Sequence, residues 1–147
     1  MNSGLDIPLD TPKRPWHLWT VGILALLWNA AGAYTILMAQ AGRLADLSAD
    51  ETAYYAAQPL WFVVATDIAL FGAILAAIAL LARSRVAVWL FGISLVAIVV
   101  TDVYDLAAGT SRMLANTGAL VVTIFILVIA ILELVYARAM KGRRLLR

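Results

Sequence analysis

The chain contains no cysteine, which removes disulfides, thiolate metal sites, iron–sulfur clusters and cysteine nucleophiles together. It has one histidine, His17, too few for a bis-histidine haem or a multi-histidine zinc site within one chain. Glutamate occurs only as Glu51 and Glu133, and neither begins a Glu-x-x-His pair, which excludes a di-iron carboxylate bundle. No Gly-rich phosphate loop follows a strand pattern, and no serine–histidine arrangement offers a nucleophile. Charge is scarce too: of 147 residues 14% are charged and 64% hydrophobic. Soluble domains average about 25% charged and about 45–50% apolar, so a single globular core could not hide this much apolar surface.

What the chain does have is long uncharged runs. Residues 1–15 are polar, carry Pro8, Pro12 and Pro15, and read as a disordered tail. A first run covers residues 16–42 without a charge. Its Ala39-Gln40-Ala41 stretch resembles a signal-peptidase site. The run is longer than the about 7–15 residues of a signal core and its leader holds Asp6 and Asp10, so a retained helix is expected. A second run follows Pro59, a residue suited to a helix start, and is interrupted only by Asp67. Arg83-Ser84-Arg85 forms a basic turn, and Gly109-Thr110-Ser111 another.

The fold class predicted is all-α, an integral membrane four-helix bundle. Its spans lie at about 16–41, 59–82, 86–107 and 113–137, with tails at 1–15 and 138–147. Ser48 and Glu51 match a capping box, which predicts a short helix over about 49–58 between the first two spans, with Tyr54 and Tyr55 at headgroup depth.

Orientation follows from the basic residues. The two tails and the 83–85 turn hold nine of the eleven Lys and Arg, while the opposite loops hold only Arg43 and Arg112. Basic flanks stay on the cytoplasmic side, so both termini are expected inside and the loop helix outside. Trp16, Trp19, Trp61 and Trp89 fall at span edges as interfacial anchors, with His17 at the water line. The basic C-terminal segment is too short and too near the bilayer for nucleic acid, and contact with anionic headgroups is its plausible extra role.

An ionisable group at a helix centre costs about 2.5–3.5 kcal/mol on insertion scales, so such groups are expected to face protein or water. Asn29 falls near the middle of the first span. Asp67 lies roughly 12 Å in from the outer end of the second. Asp102 and Asp105, three positions apart, share a face in the outer third of the third span. Asn116 and Thr117 open the fourth. Asp67, Asp102, Asp105 and Asn116 thus come from three helices yet fall in one half of the membrane, above Asn29, with only Arg43 and Arg112 nearby as counter-charges. One of these carboxylates is expected to be protonated or to hold a cation. Glu133 sits in the opposite half, where Arg138 and Lys141 are expected to neutralise it.

Small and polar residues repeat along packing seams: Gly22, Ala25, Asn29, Gly32 and Ala33 on the first span, Ala119, Thr123, Ala130 and Glu133 on the fourth. On the second span the small residues (Ala65, Ala69, Gly72, Ala73, Ala76) lie nearly opposite Asp67. Either both faces meet protein, as in an oligomer, or Asp67 looks into a water-filled vestibule.

Several stretches resemble a group of small four-span bacterial inner-membrane proteins: residues 23–32 (ILALLWNAAG), Tyr55 with Pro59-Leu60-Trp61, Ala69-Leu70-Phe71-Gly72, and Leu90-Phe91-Gly92-Ile93-Ser94-Leu95. The resemblance covers most of residues 16–96. Members of that group are often labelled hypothetical proteins or, loosely, sugar transporters, so it implies a fold and a bacterial inner-membrane location without an established reaction. The group is mostly apolar at the position of Asp67 and often has a Gln and a Tyr near the outer end of the third span, where this chain has Asp102 and Tyr104.

Two functions compete. In the first, the chain is a transporter-like or cation/proton-binding module acting as a homo-oligomer in the lipid bilayer. Its site would use Asp67, Asp102 and Asp105 with Asn29 as a floor and Asn116 beside them. In the alternative, it is a non-catalytic accessory or membrane-organising subunit of a larger complex, for which the packing seams suffice. An intramembrane enzyme would have to rest on aspartates and Tyr104 alone, so no catalytic residue, metal or cofactor is expected.

Overall fold

The computed structural model describes residues 16–45, 47–109 and 117–146. Among them lie five helices: α1 (Trp16–Gln40), α2 (Ala49–Ala57), α3 (Leu60–Leu81), α4 (Val86–Ala108) and α5 (Thr117–Gly142), with no strand. All but α2 are long and apolar enough to cross a bilayer, which makes this a multi-pass membrane protein. Chain order places α2 at one end of the bundle. The 83–85 turn and the end of α5 lie together at the other, the basic end: Arg83 Nε donates to the Leu145 carbonyl at 3.2 Å and Arg85 Nε to that of Leu146 at 3.3 Å.

Packing follows from small side chains. With lipid outside as apolar as the core, helices associate through close contact and hydrogen bonds rather than through loss of water. α3 and α4 form the tightest pair. Gly72 faces Ser94 closely enough that a Cβ on the glycine would sit 3.5 Å from the serine Cβ. Ser94 Oγ donates to the Ala69 carbonyl at 2.7 Å, which satisfies a buried hydroxyl inside the apolar pair. α1 packs on another side of α3, with Gly22 against Leu81, and α5 packs on α4. The order around the bundle is therefore α1, α3, α4, α5.

The core sits toward the basic end, where Ala76, Ala77, Ala87 and Ala137 are wholly buried among Leu18, Leu80, Phe91, Leu134 and Leu146. Large apolar residues such as Leu24, Trp89, Val121 and Ile124 point outward, as lipid contact requires.

Helix ends stop where the backbone can turn left-handed. After α1, Gly42 (φ 63°) donates to the Ala39 carbonyl and Arg43 to that of Met38, closing a Schellman motif. The same pattern follows α3 with Arg83 (φ 60°) and α5 with Arg144 (φ 56°).

α5 differs from its sequence pattern, for it continues past position 137 to Gly142. Ala137 and Met140 stay buried while Arg138 and Lys141 point outward, so charge on one face does not interrupt the helix. Lys141 also faces the negative end of the helix dipole. Beyond it the chain folds back and buries Leu146. The expected tail 1–15, the turn at 110–111 and the start of the fourth span at 113 lie outside the described residues.

Candidate functional site

The α2 end is built from α2 upward. Ser48 caps the helix: its Oγ accepts from the Glu51 backbone N–H at 3.2 Å, and its own N–H donates to Glu51 Oε2 at 2.8 Å. The backbone bond to Oε2, and after it the Ser48 hydroxyl donating to the same oxygen at 2.7 Å, hold the Glu51 carboxyl below its ordinary value of 4.5. α2 packs against α1 and sends Tyr54 across to α4, where the phenol donates to Asp105 Oδ2 at 2.8 Å. Burial pushes the Tyr54 hydroxyl above its ordinary range, and the bond to Asp105 and that residue's charge push the same way. Tyr54 therefore stays a neutral donor. Tyr55, its ring 5.1 Å from that of Tyr54, is also shifted upward by burial and then by the charges of Glu51 and Asp105.

One turn along α4 from Asp105, Asp102 buries its Oδ2 without a hydrogen-bond partner among the described residues. The Gln58 amide lies beside the Tyr54 hydroxyl, and its Oε1 is likewise buried and unpartnered. Tyr104 closes the neighbouring side, its ring 4.8 Å from Trp61 and 5.5 Å from Phe62, so α3 and α4 are joined here by aromatic contact.

Asp67 is placed elsewhere. At 3.6 residues per turn it lies about 140° around α3 from Gly72, the residue that faces α4. It lies only about 40° from Leu81, which meets α1. Its carboxylate is therefore on the α1 side of α3, with Oδ1 buried and unpartnered. Near the same end, Gln40 at the close of α1 buries an unpartnered Nε2. Asp102 and Asp105 are brought together, and Asp67 is not joined to them by any hydrogen bond among the described residues. Asn116 lies outside the described residues.

Asn29, expected as a floor beneath these carboxylates, turns its amide nitrogen to other partners. Its amide nitrogen donates to the Ala25 carbonyl and to Glu133 Oε1, both at 2.8 Å, which uses both amide hydrogens. Glu133 thus takes a neutral partner from α1 in place of the expected basic neighbours. Arg138, five positions on, points about 140° away around α5, and Lys141 lies about 12 Å further along the axis. Toward the basic end, His17 Nδ1 and the Tyr136 hydroxyl are 2.8 Å apart.

The chain matches no family model, no curated protein and no solved structure. Its chemistry has to be read from these side chains. The α2 end offers carboxylate, phenol and amide oxygens, a donor set suited to a proton or a hard cation. Sequence reasoning left out Tyr54 and Gln58 as members. The capping signature at Ser48 and Glu51 marks the helix that carries Tyr54, but no local pattern pairs it with α4.

Proposed function

We propose that this protein is a transporter-like module that takes up a proton or a monovalent cation at Asp102 and Asp105, beneath α2. The carrying observation is the buried, unpartnered Asp102 Oδ2 beside a second carboxylate whose outer oxygen is claimed by Tyr54. Burying an ionised carboxylate costs several kcal/mol per ion unless its charge is compensated. Tyr54 compensates Asp105 in part. Asp102 needs a proton or a cation. No three acidic or histidine side chains gather among the described residues, so the donor set favours a single charge over a divalent ion.

The same reading gives α2 the role of a cover whose tyrosine bond must break for the ion to pass. Four helices enclose little volume, which supports a homo-oligomer with a route between copies. The basic residues at the end opposite α2 support an orientation with both termini in the cytoplasm.

The test is flux in proteoliposomes holding the full chain, with a trapped pH dye and radioactive sodium. Wild type is expected to carry one of the two ions, and Asp102→Asn to abolish it. Absence of any flux by the wild type, or flux unchanged in Asp102→Asn, contradicts the reading. Co-purification with a larger complex together with no flux would favour an accessory subunit instead.

A further inference from the structure

α1 and α5 stand apart at the open side of the bundle and meet through long side chains. Trp28 and Phe125 pack edge to face with centroids 5.6 Å apart, Asn29 reaches Glu133, and His17 reaches Tyr136. Between them lies a groove of about 660 Å³, within the about 300–1,000 Å³ usual for small-molecule sites. Leu24 and Leu132 on its rim are each 60% exposed, so the groove opens toward lipid. Its one charged lining residue is Glu133.

We infer that this groove binds a lipophilic organic cation, with Glu133 as the counter-ion. The Asn29 amide orients the carboxylate but carries no charge, and the second carboxylate oxygen has no protein partner among the described residues. With a neutral occupant the carboxyl must hold a proton instead of its charge, and an anion is repelled. A small inorganic cation would have to shed its water among leucine and valine. A cation whose charge is spread over apolar groups satisfies both the walls and the carboxylate, and Trp28 and Tyr136 supply aromatic faces for it. Entry is from the lipid side, where Leu24 and Leu132 lie exposed on the rim. This inference is independent of the pair at the α2 end.

Tetraphenylphosphonium binding to the full chain in lipid nanodiscs, measured by titration calorimetry, tests it. Saturable binding is expected for wild type, with Glu133→Gln weakening it about tenfold or more. Leu132→Trp, which adds bulk at the lipid-side rim and leaves the Glu133 carboxylate in place, is expected to do the same. Asp102→Asn is expected to bind as wild type. No saturable binding by wild type, unchanged affinity in Glu133→Gln and Leu132→Trp, or equal affinity for neutral triphenylphosphine oxide overturns the inference. The cysteine-free chain allows one more check. Leu132→Cys dimers that form equally with and without the cation would put a second copy in the groove and overturn it as well.

Discussion

Tyr54 joins a loop helix to a carboxylate on a membrane span, so removing its hydroxyl leaves Asp105 Oδ2 half-buried without a donor. Tyr54→Phe is expected to cost about 1–3 kcal/mol, read as a lowered thermal unfolding midpoint in detergent. Adding Asp105→Asn should recover part of that loss, because the unpaired charge goes with it. The pH sign follows from the phenol's raised value. Its contribution is complete below the ordinary 10.0 and declines only as pH climbs through the higher folded value. Absorbance titration should therefore find Tyr54 un-ionised where exposed tyrosines have already titrated.

The shared face of Asp102 and Asp105 was legible from their three-residue spacing. The partner Tyr54 was not, because periodicity within α4 says nothing about a residue on another helix. Asn29 and Glu133 each stood out as polar groups in apolar runs. Their pairing across 104 positions left no local trace, and counting depth along single helices placed them without saying which faces meet.

Among the elements, α2 was the most readable, since Ser48 and Glu51 announce its start and the helix begins at Ala49 as that signature requires. Ser48→Ala is expected to cost about 1 kcal/mol, confined to α2, with faster amide exchange there and none of that acceleration in α3. The Glu51 carboxyl adds a pH dependence of opposite sign to that of Tyr54. Its folded value is lowered, so the cap is complete above the ordinary 4.5 and is lost as pH falls through the lower folded value. Protection of α2 should fall in acid accordingly.

For α3 and α4, the small-residue pattern located the seam but not its partner. Gly72→Leu is expected to force the pair apart and break the Ser94 bond to Ala69, at about 1–3 kcal/mol, measurable as a lowered unfolding midpoint. The end of α5 lies beyond the apolar run that hydropathy marks. Long basic side chains on an outward face let a helix run past its apolar segment, and the fold-back that buries Leu146 has no periodic signature.

At the scale of the whole molecule, four crossings were legible because bilayer thickness fixes the length of an apolar run. The order of helices around the bundle was not, since spans that are apolar on most faces give little sign of which face meets protein. That order has a functional consequence. The apolar core gathers at the basic end, the paired carboxylates gather under α2, and Glu133 faces the gap between α1 and α5. The acidic residues thus separate into groups with different surroundings instead of one cluster.

The most direct measurement is infrared difference spectroscopy of the full chain in lipid nanodiscs as sodium is exchanged for choline or the pH is lowered. A carboxyl band that responds to one of these changes, vanishes in Asp102→Asn and persists in both Asp67→Asn and Glu133→Gln is the expected result. A carboxyl response left intact by Asp102→Asn, or no response at all, would contradict a site beneath α2.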